Sequence, residues 1–397
     1  MTKRTTGRYE RTTVGGEEVA AFIPHALPPA EPSIFIDEGL HYVARQALLR
    51  LELAGEMIPS LDWFIYAFVR KEAVLSSQIE GTQATLVDLL TFEAQEGEDS
   101  SAAPSADVEE VCNYLDALAY SREQIAAPKG LPLSMRLLGE THRRLMRGVR
   151  GADKSPGEVR RSQNWIGGTR PGNAAYVPPP PHALGDVLSA FEKYLHAEDT
   201  LPPLVRAGLL HVQFETIHPY LDGNGRIGRL LVTLLLEHWK LLTKPLLYLS
   251  LFFKRHRADY YRLLDLVRVD GDWESWLAFF LEGVATISDE ATASARELFA
   301  LVEADRTRSL EHEGMSVVAL RLFEHLPRQP VVTVASAMKL VETTKPTAGR
   351  AIDLLVAAGV RVEMTGKKRD RSFAYQAYLD RLRVGTELER SPPRSRV

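Results

Sequence analysis

At 397 residues, 45% hydrophobic and 25% charged, the chain is long enough for two or three domains and too apolar to be disordered throughout. Its net charge of −4 excludes a molecule that grips nucleic acid with its whole surface. One cysteine, Cys112, excludes an internal disulfide. With no apolar run behind the first ten residues, this predicts a reducing cytoplasm.

Residues 1–38, with prolines at 24, 28, 29 and 32, read as an extended arm. From Glu38 to Phe92 apolar residues recur at three- and four-residue steps, among them Leu48, Leu51, Leu53 and Ile58, and predict a long helical stretch. Ala94 to Ala106, acidic and small, reads as a loop. Helices resume over Asp107–Ile125 and Ser134–Arg147. Residues 151–181 are rich in Gly, Pro, Asn and Arg. Within them, Asn164–Gly167 and Ala174–Val177 predict two short strands around a turn at 169–173. Two long helices then bracket a polar turn: Leu204, Leu210, Phe214 and Ile217 precede it at helical spacing, and Leu230, Leu231, Leu234 and Leu235 follow it. The run 230–236 is far shorter than the ~20 residues of a membrane span. Further helices fit Tyr260–Val269 and Trp273 to about Glu303.

After position 314 the chain carries 15 Lys and Arg against 8 Asp and Glu. Helices over Val317–Leu326, Val334–Val341 and Lys345–Gly359 precede two alternating segments, Arg361–Met364 and Ser372–Tyr378. These flank the basic loop holding Lys367, Lys368, Arg369 and Arg371. Three helices followed by a strand pair predict a winged-helix-like unit.

The chemistry concentrates in H-P-Y-L-D-G-N-G-R-I-G-R, His218 to Arg229. Three generic readings fail there. Gly223, Gly225 and Gly228 satisfy G-x-G-x-x-G, but a helix precedes them and no acidic residue follows at 242–250. A calcium loop would put Arg226 and Thr233 where oxygen ligands are required. His211 and His218 lack the further partners that zinc needs. What remains is an anion-binding turn at a helix start, where bare glycines expose backbone N–H groups and the helix end adds partial positive charge. Arg226 and Arg229, three apart, suit a polyphosphate. Asp222 is placed to hold Mg²⁺, and His218 can take a proton near neutral pH. Singly, each residue also reads as a turn former, a helix-end charge or a surface cation.

This run resembles the motif of the Fic family, H-x-F-x-[D/E]-G-N-G-R-x-x-R, departing from it only at Tyr220. The resemblance implies a mainly α fold: a Fic-type helical bundle with a β-hairpin flap, joined to a small C-terminal winged-helix-like α+β domain. It implies transfer of AMP from ATP to a Ser, Thr or Tyr hydroxyl of a protein, with pyrophosphate leaving. His218 would be the general base and Asp222 the Mg²⁺ (or Mn²⁺) ligand. Gly223, Asn224, Gly225, Arg226, Ile227, Gly228 and Arg229 would form the ATP cradle, with Arg229 on the γ-phosphate. Trp165, Ile166, Gly167, Gly168, Tyr176 and Val177 resemble the family's flap, which adds a target segment as a strand. Tyr261 resembles a position that contacts adenine, and reads equally as a core aromatic.

Ser76–Gly81, S-S-Q-I-E-G, resembles the inhibitory pattern [S/T]-x-x-x-E-[G/N] of a helix in many Fic proteins, with Ser76, Glu80 and Gly81 at its defining positions. Glu80 would then occupy the Arg229 guanidinium and spoil the pose of ATP. The domains expected are 1–110, with the inhibitory helix, 111–305 as catalytic core, 315–385 as the winged-helix-like unit and 386–397 as a disordered tail. Alternatives stay open: phosphoryl or phosphocholine transfer, AMP removal, or a nucleotide-sensing regulator that binds DNA through residues 315–385. Self-modification and homodimerisation are equally open, as is the target protein.

Overall fold

The computed structural model describes residues 4–29, 32–57, 61–95, 105–364, 366 and 371–388. The chain begins with a hairpin, β1 (Gly7–Val14) and β2 (Glu17–Pro24), paired antiparallel with Gly7 opposite Pro24. This corrects the extended arm expected over 1–38. Gly15 and Gly16 both take positive φ, which is what a two-residue hairpin turn needs.

The helical stretch expected over 38–92 is three helices: α1 (Glu38–Met57), α2 (Leu61–Ile79) and α3 (Leu86–Gln95). Gly81, at φ +97°, ends the second segment in a conformation no helix continues. Next come α4 (Ala106–Ala126), α5 (Met135–Leu145) and α6 (Leu184–His196). Ser105 and Ser134 cap α4 and α5 by accepting backbone N–H groups of the first turn.

At the centre lie α7 (Pro203–Ile217) and α8 (Asn224–His238). Every residue of α7 from Leu204 onward is buried, the polar Arg206, His211, Gln213, Glu215 and Thr216 included. The short helix α9 (Ser250–Arg255) and α10 (Arg257–Asp270) lead into α11 (Trp273–Glu311), which packs along α1 and runs eight residues beyond its expected end. Asp272 caps α11, accepting from the Ser275 N–H at 3.0 Å.

The C-terminal part comprises α12 (Val317–His325), β3 (Val331–Thr333), α13 (Val334–Leu340), α14 (Lys345–Ala357), β4 (Val362–Glu363), β5 (Ser372–Ala374) and α15 (Gln376–Leu382). Its antiparallel sheet has the order β3-β5-β4. The expected strand 372–378 stops at Ala374 because Tyr375 turns inward, its hydroxyl donating to Asp305 of α11 at 2.8 Å. Of the loop's basic residues only Arg371 is among the described residues; Lys367, Lys368 and Arg369 lie outside them. The disordered tail expected from 386 is corrected at its first residues. Thr386 is buried and its carbonyl accepts from Gln78 Nε2 at 2.9 Å, while Lys254 Nζ donates to the carbonyl of Glu387 at 2.7 Å. Residues 389–397 lie outside the described residues.

The mainly helical class with small antiparallel sheets is as expected. Among the described residues no helix is long and apolar enough to cross a membrane.

Candidate active site

The site is the loop between α7 and α8. His218 ends α7 in the left-handed region, φ 50° and ψ 61°, with its N–H still donated to Phe214 O at 2.9 Å. That turns the imidazole out of the helix line. Gly223, also left-handed, opens α8, whose first N–H groups have no partners within the helix. Asn224 folds back over the loop: its Oδ1 accepts from Tyr220 N at 2.9 Å and its Nδ2 donates to Tyr220 O at 2.8 Å.

Two residues invisible to the sequence reading clamp this loop. Arg160 is buried, and donates from Nε to His218 O at 2.9 Å and from Nη2 to Pro179 O at 2.6 Å. His142 stacks on Tyr220 with ring centroids 4.0 Å apart. Its Nδ1 accepts from Gly157 N–H at 2.8 Å, so Nε2 carries the proton and donates to Asp222 O at 2.9 Å. Burial pushes the His142 pKa down to about 4, which keeps the ring in that neutral tautomer.

A cavity of about 440 Å³ opens beside the loop. Its walls are Glu80, Gly225 and Arg229 on one side, and His218, Glu215, Tyr260 and Tyr261 on another. Ile166, Ala175 and Tyr176 close it from the flap. Two larger surface grooves, about 730 and 520 Å³, contain neither His218 nor Arg229.

His218 is pushed down to about 4, first by burial and then by the Arg160 charge, so its imidazole is neutral at physiological pH. Arg229 is buried. Its Nε donates to Ser76 Oγ at 2.9 Å, and its Nη2 to Ser76 O at 2.9 Å and to Glu80 Oε1 at 2.7 Å. Burial alone would raise the Glu80 carboxyl. The charge and hydrogen bond of Arg229 outweigh it and hold the group below the usual carboxylate range. Glu80 itself stands one residue past the end of α2, with its N–H on Ser77 O at 3.0 Å, rather than inside a helix. A Cβ on Gly225 would overlap Glu80 Oε1, so the carboxylate lies directly against the bare start of α8.

Asp222 is not part of the lining of that cavity. Its Oδ1 accepts from Gly223 N–H at 2.7 Å and its Oδ2 from Lys154 Nζ at 2.8 Å. Burial raises its carboxyl, but the Lys154 bond and charge bring it below the ordinary value. Among the described residues no cluster of three His, Cys, Asp or Glu could hold a metal by itself. A lone carboxylate already paired with a cation still fits Mg²⁺, whose other ligands can be water and phosphate oxygens.

The remaining sequence candidates divide clearly. Arg226 is buried at 3.4 Å from Glu110 and 4.0 Å from Asp222. Ile227 points its side chain into the core and donates its N–H to Gly223 O at 3.1 Å, so it offers a ligand nothing. Gly228 is bare because the Glu215 carboxyl packs against it. Tyr261 lines the cavity with its side chain part-exposed. The core aromatic is its neighbour Tyr260, bonded to His211 at 2.9 Å. In the flap, Ile166 and Tyr176 exchange both backbone hydrogen bonds, at 2.8 and 3.1 Å. Trp165, Gly167 and Gly168 are exposed on one side of that bridge and Val177 is buried on the other.

Residues 40–123 match the Fic/DOC family N-terminal model, and residues 132–236 match the Fic/DOC family model. The chain carries a Fic/DOC N-terminal segment and a Fic/DOC domain. The Fic model covers the cavity walls formed by the flap, α7 and α8, the N-terminal model covers Glu80, and the α10 wall with Tyr260 and Tyr261 lies beyond both. A protein adenylyltransferase Fic from Drosophila erecta is 34% identical over 145 residues, 36% of this chain and 26% of that one. One from Drosophila grimshawi is 32% identical over 154 residues, 38% and 29% of the two chains. The match thus spans little more than a quarter of these curated relatives. A solved Fic family protein from Desulfovibrio desulfuricans G20 superposes with a TM-score of 0.54 at 20% identity, over 87% of this chain and 98% of that one, a likeness of fold.

Proposed function

We propose that this Fic protein transfers AMP from ATP to a hydroxyl of a protein and that Glu80 restrains it. The observation that carries the reading is the 2.7 Å Glu80–Arg229 pair, set against the open start of α8 and sharing a cavity with a neutral histidine. The N–H groups of that helix start would take the phosphates of ATP, and Arg229, once released, the γ-phosphate. The acceptor oxygen would attack the α-phosphorus while His218 takes its proton. The bond from that phosphorus to the bridging oxygen breaks, and pyrophosphate leaves. Asp222 would hold a divalent cation, whose contribution when bound is to neutralise phosphate charge. While Glu80 holds Arg229, the γ-phosphate is turned from its site, and a displaced triphosphate can cost about 10²-fold in rate.

Ser, Thr and Tyr are the acceptor side chains this chemistry suits, and the flap edge beside the cavity supports an extended protein segment as the acceptor. The order α12, β3, α13, α14, β4, β5 over residues 317–374 supports a C-terminal unit of the winged-helix kind, packed on the core it shares with the rest of the chain. Exposed Lys345 and Arg350 on α14 favour a second reading in which that unit binds DNA.

The test uses ATP labelled on the α- or the γ-phosphate with wild type, Glu80→Gly and His218→Ala. Covalent α-label in Glu80→Gly and none in His218→Ala is expected. Covalent γ-label instead would replace AMP transfer by phosphoryl transfer.

A further inference from the structure

The β1–β2 hairpin does not stand alone. Phe22 N–H donates to Val177 O at 2.9 Å, which joins β2 to the outer side of the flap. Val19 and Ala21 of β2 form a small buried cluster with Val177, against which Val14 and Ala174 pack. At the flap tip the Glu17 carboxylate accepts from Gly172 N–H at 2.7 Å and pairs with Arg170 at 2.9 Å. A Cβ on Gly172 would overlap that same carboxylate, so the tip is shaped to receive it. The Arg170 hydrogen bond, ahead of the opposing effect of burial, holds the Glu17 carboxyl below its usual range.

The root of the hairpin is fixed to helices of the cavity. Thr6 Oγ1 donates to Val267 O at 3.0 Å at the end of α10, and Arg4 pairs with Glu274 of α11 at 2.8 Å. Gln213 of α7 donates to His25 O at 2.8 Å. The hairpin therefore spans from the helices that carry His218 and Tyr261 to the tip of the flap. Along the flap it covers the side of Val177 and leaves the side of Trp165, Gly167 and Gly168 exposed.

We infer that the hairpin is a positioning element of the acceptor site: Glu17 and β2 hold the flap by its outer edge, leaving residues 164–168 as the edge on which an acceptor segment pairs. The inference rests on the AMP-transfer reading for its acceptor and on the hairpin contacts for its geometry. A strand added at 164–168 gains backbone hydrogen bonds only if the flap is held at a fixed distance from His218. An exposed ion pair by itself contributes little. Here the same carboxylate also accepts a backbone N–H, and the apolar cluster backs it.

The experiment uses the full chain carrying Glu80→Gly, with Glu17→Arg, Gly172→Ala, or Glu17→Arg with Arg170→Glu added. Amide exchange of Ile166 and Tyr176 is followed alongside covalent α-label on protein and free AMP formed by transfer to water. Glu17→Arg should speed flap exchange roughly tenfold, the scale of one lost charge-assisted hydrogen bond. It should lower protein label by a similar factor, with AMP release to water unchanged. Gly172→Ala should do the same, and the charge swap, which restores the ion pair but leaves the Gly172 N–H without its acceptor, should recover little of either readout. Unchanged exchange overturns the brace. Faster exchange with unchanged label, or an equal fall in label and AMP release, overturns its role in acceptor positioning. If Glu80→Gly alone takes no label, the AMP-transfer reading fails, and the exchange readout still decides whether the hairpin holds the flap.

Discussion

Glu80→Gly should make the protein more active and, without nucleotide, less stable. The carboxylate gives Arg229 one charge-assisted hydrogen bond at 2.7 Å. Such bonds contribute about 1.5–3 kcal/mol, and the Glu80 side chain is 31% exposed, which places it at the lower end. A γ-phosphate that no longer has to displace it gains roughly ten- to hundredfold in occupancy of the productive pose, since about 1.4 kcal/mol is tenfold. The variant leaves Arg229 with only Ser76 Oγ and Ser76 O as partners, at 1% side-chain exposure. Removing one member of a fully buried pair costs about 3–5 kcal/mol; water reaches this one, so about 2 kcal/mol is expected. ATP at a hundred times its dissociation constant would return about 2.7 kcal/mol. The assays are α-labelled transfer and thermal unfolding with and without MgATP. Transfer should rise, the nucleotide-free melting temperature should fall, and the ATP-induced rise should exceed that of wild type. Equal transfer together with equal ATP-induced shifts would refute the competition between Glu80 and phosphate.

Other outcomes follow from the same geometry. His218 is lowered to about 4, so transfer by Glu80→Gly should be flat from about pH 6 to 8 and fall as the imidazole protonates below about pH 5; a midpoint near 6.5 would mean the ring is solvated. Burial raises Glu215 to about 7, so the folded chain holds a proton that the unfolded chain releases above about 4.5. Its contribution is full below that value and is lost as pH rises through 7. Glu215→Gln should therefore flatten the decline between pH 5 and 8, worth on the order of 3 kcal/mol, in urea unfolding; a slope equal to wild type would show Glu215 ionised and compensated. The 397-residue chain mixed with a labelled DNA duplex at low salt should bind and release as salt rises if the C-terminal unit reads nucleic acid; no binding at low salt removes that reading.

What the sequence disclosed depended on how local each signal was. The run from His218 to Arg229 is contiguous, so its turn, its helix start and its two arginines were all readable. Glu80 was readable only through the resemblance of Ser76–Gly81 to a family pattern, because its partner lies 149 positions away. Arg160 and His142 were not readable at all: each works by bonding main-chain carbonyls from distant segments, and no spacing encodes that. Glu215 did leave a trace, one helical turn before His218 on the same helix. The N-terminal hairpin was missed although V-G-G-E is a two-glycine turn between alternating residues, since the prolines that follow argued for an extended arm. The position of Ile227 within the motif suggested a ligand contact, yet its side chain is wholly buried.

Gly225 carries one further consequence. The hydrogen in place of its side chain leaves a notch just large enough for an anionic oxygen, and Glu80 now rests in it. If the phosphates of ATP take that helix start, they and Glu80 compete for one notch, and a side chain at this position would deny it to both. A lineage that kept its phosphate cradle would keep, at no extra cost in sequence, the berth for its own inhibitor.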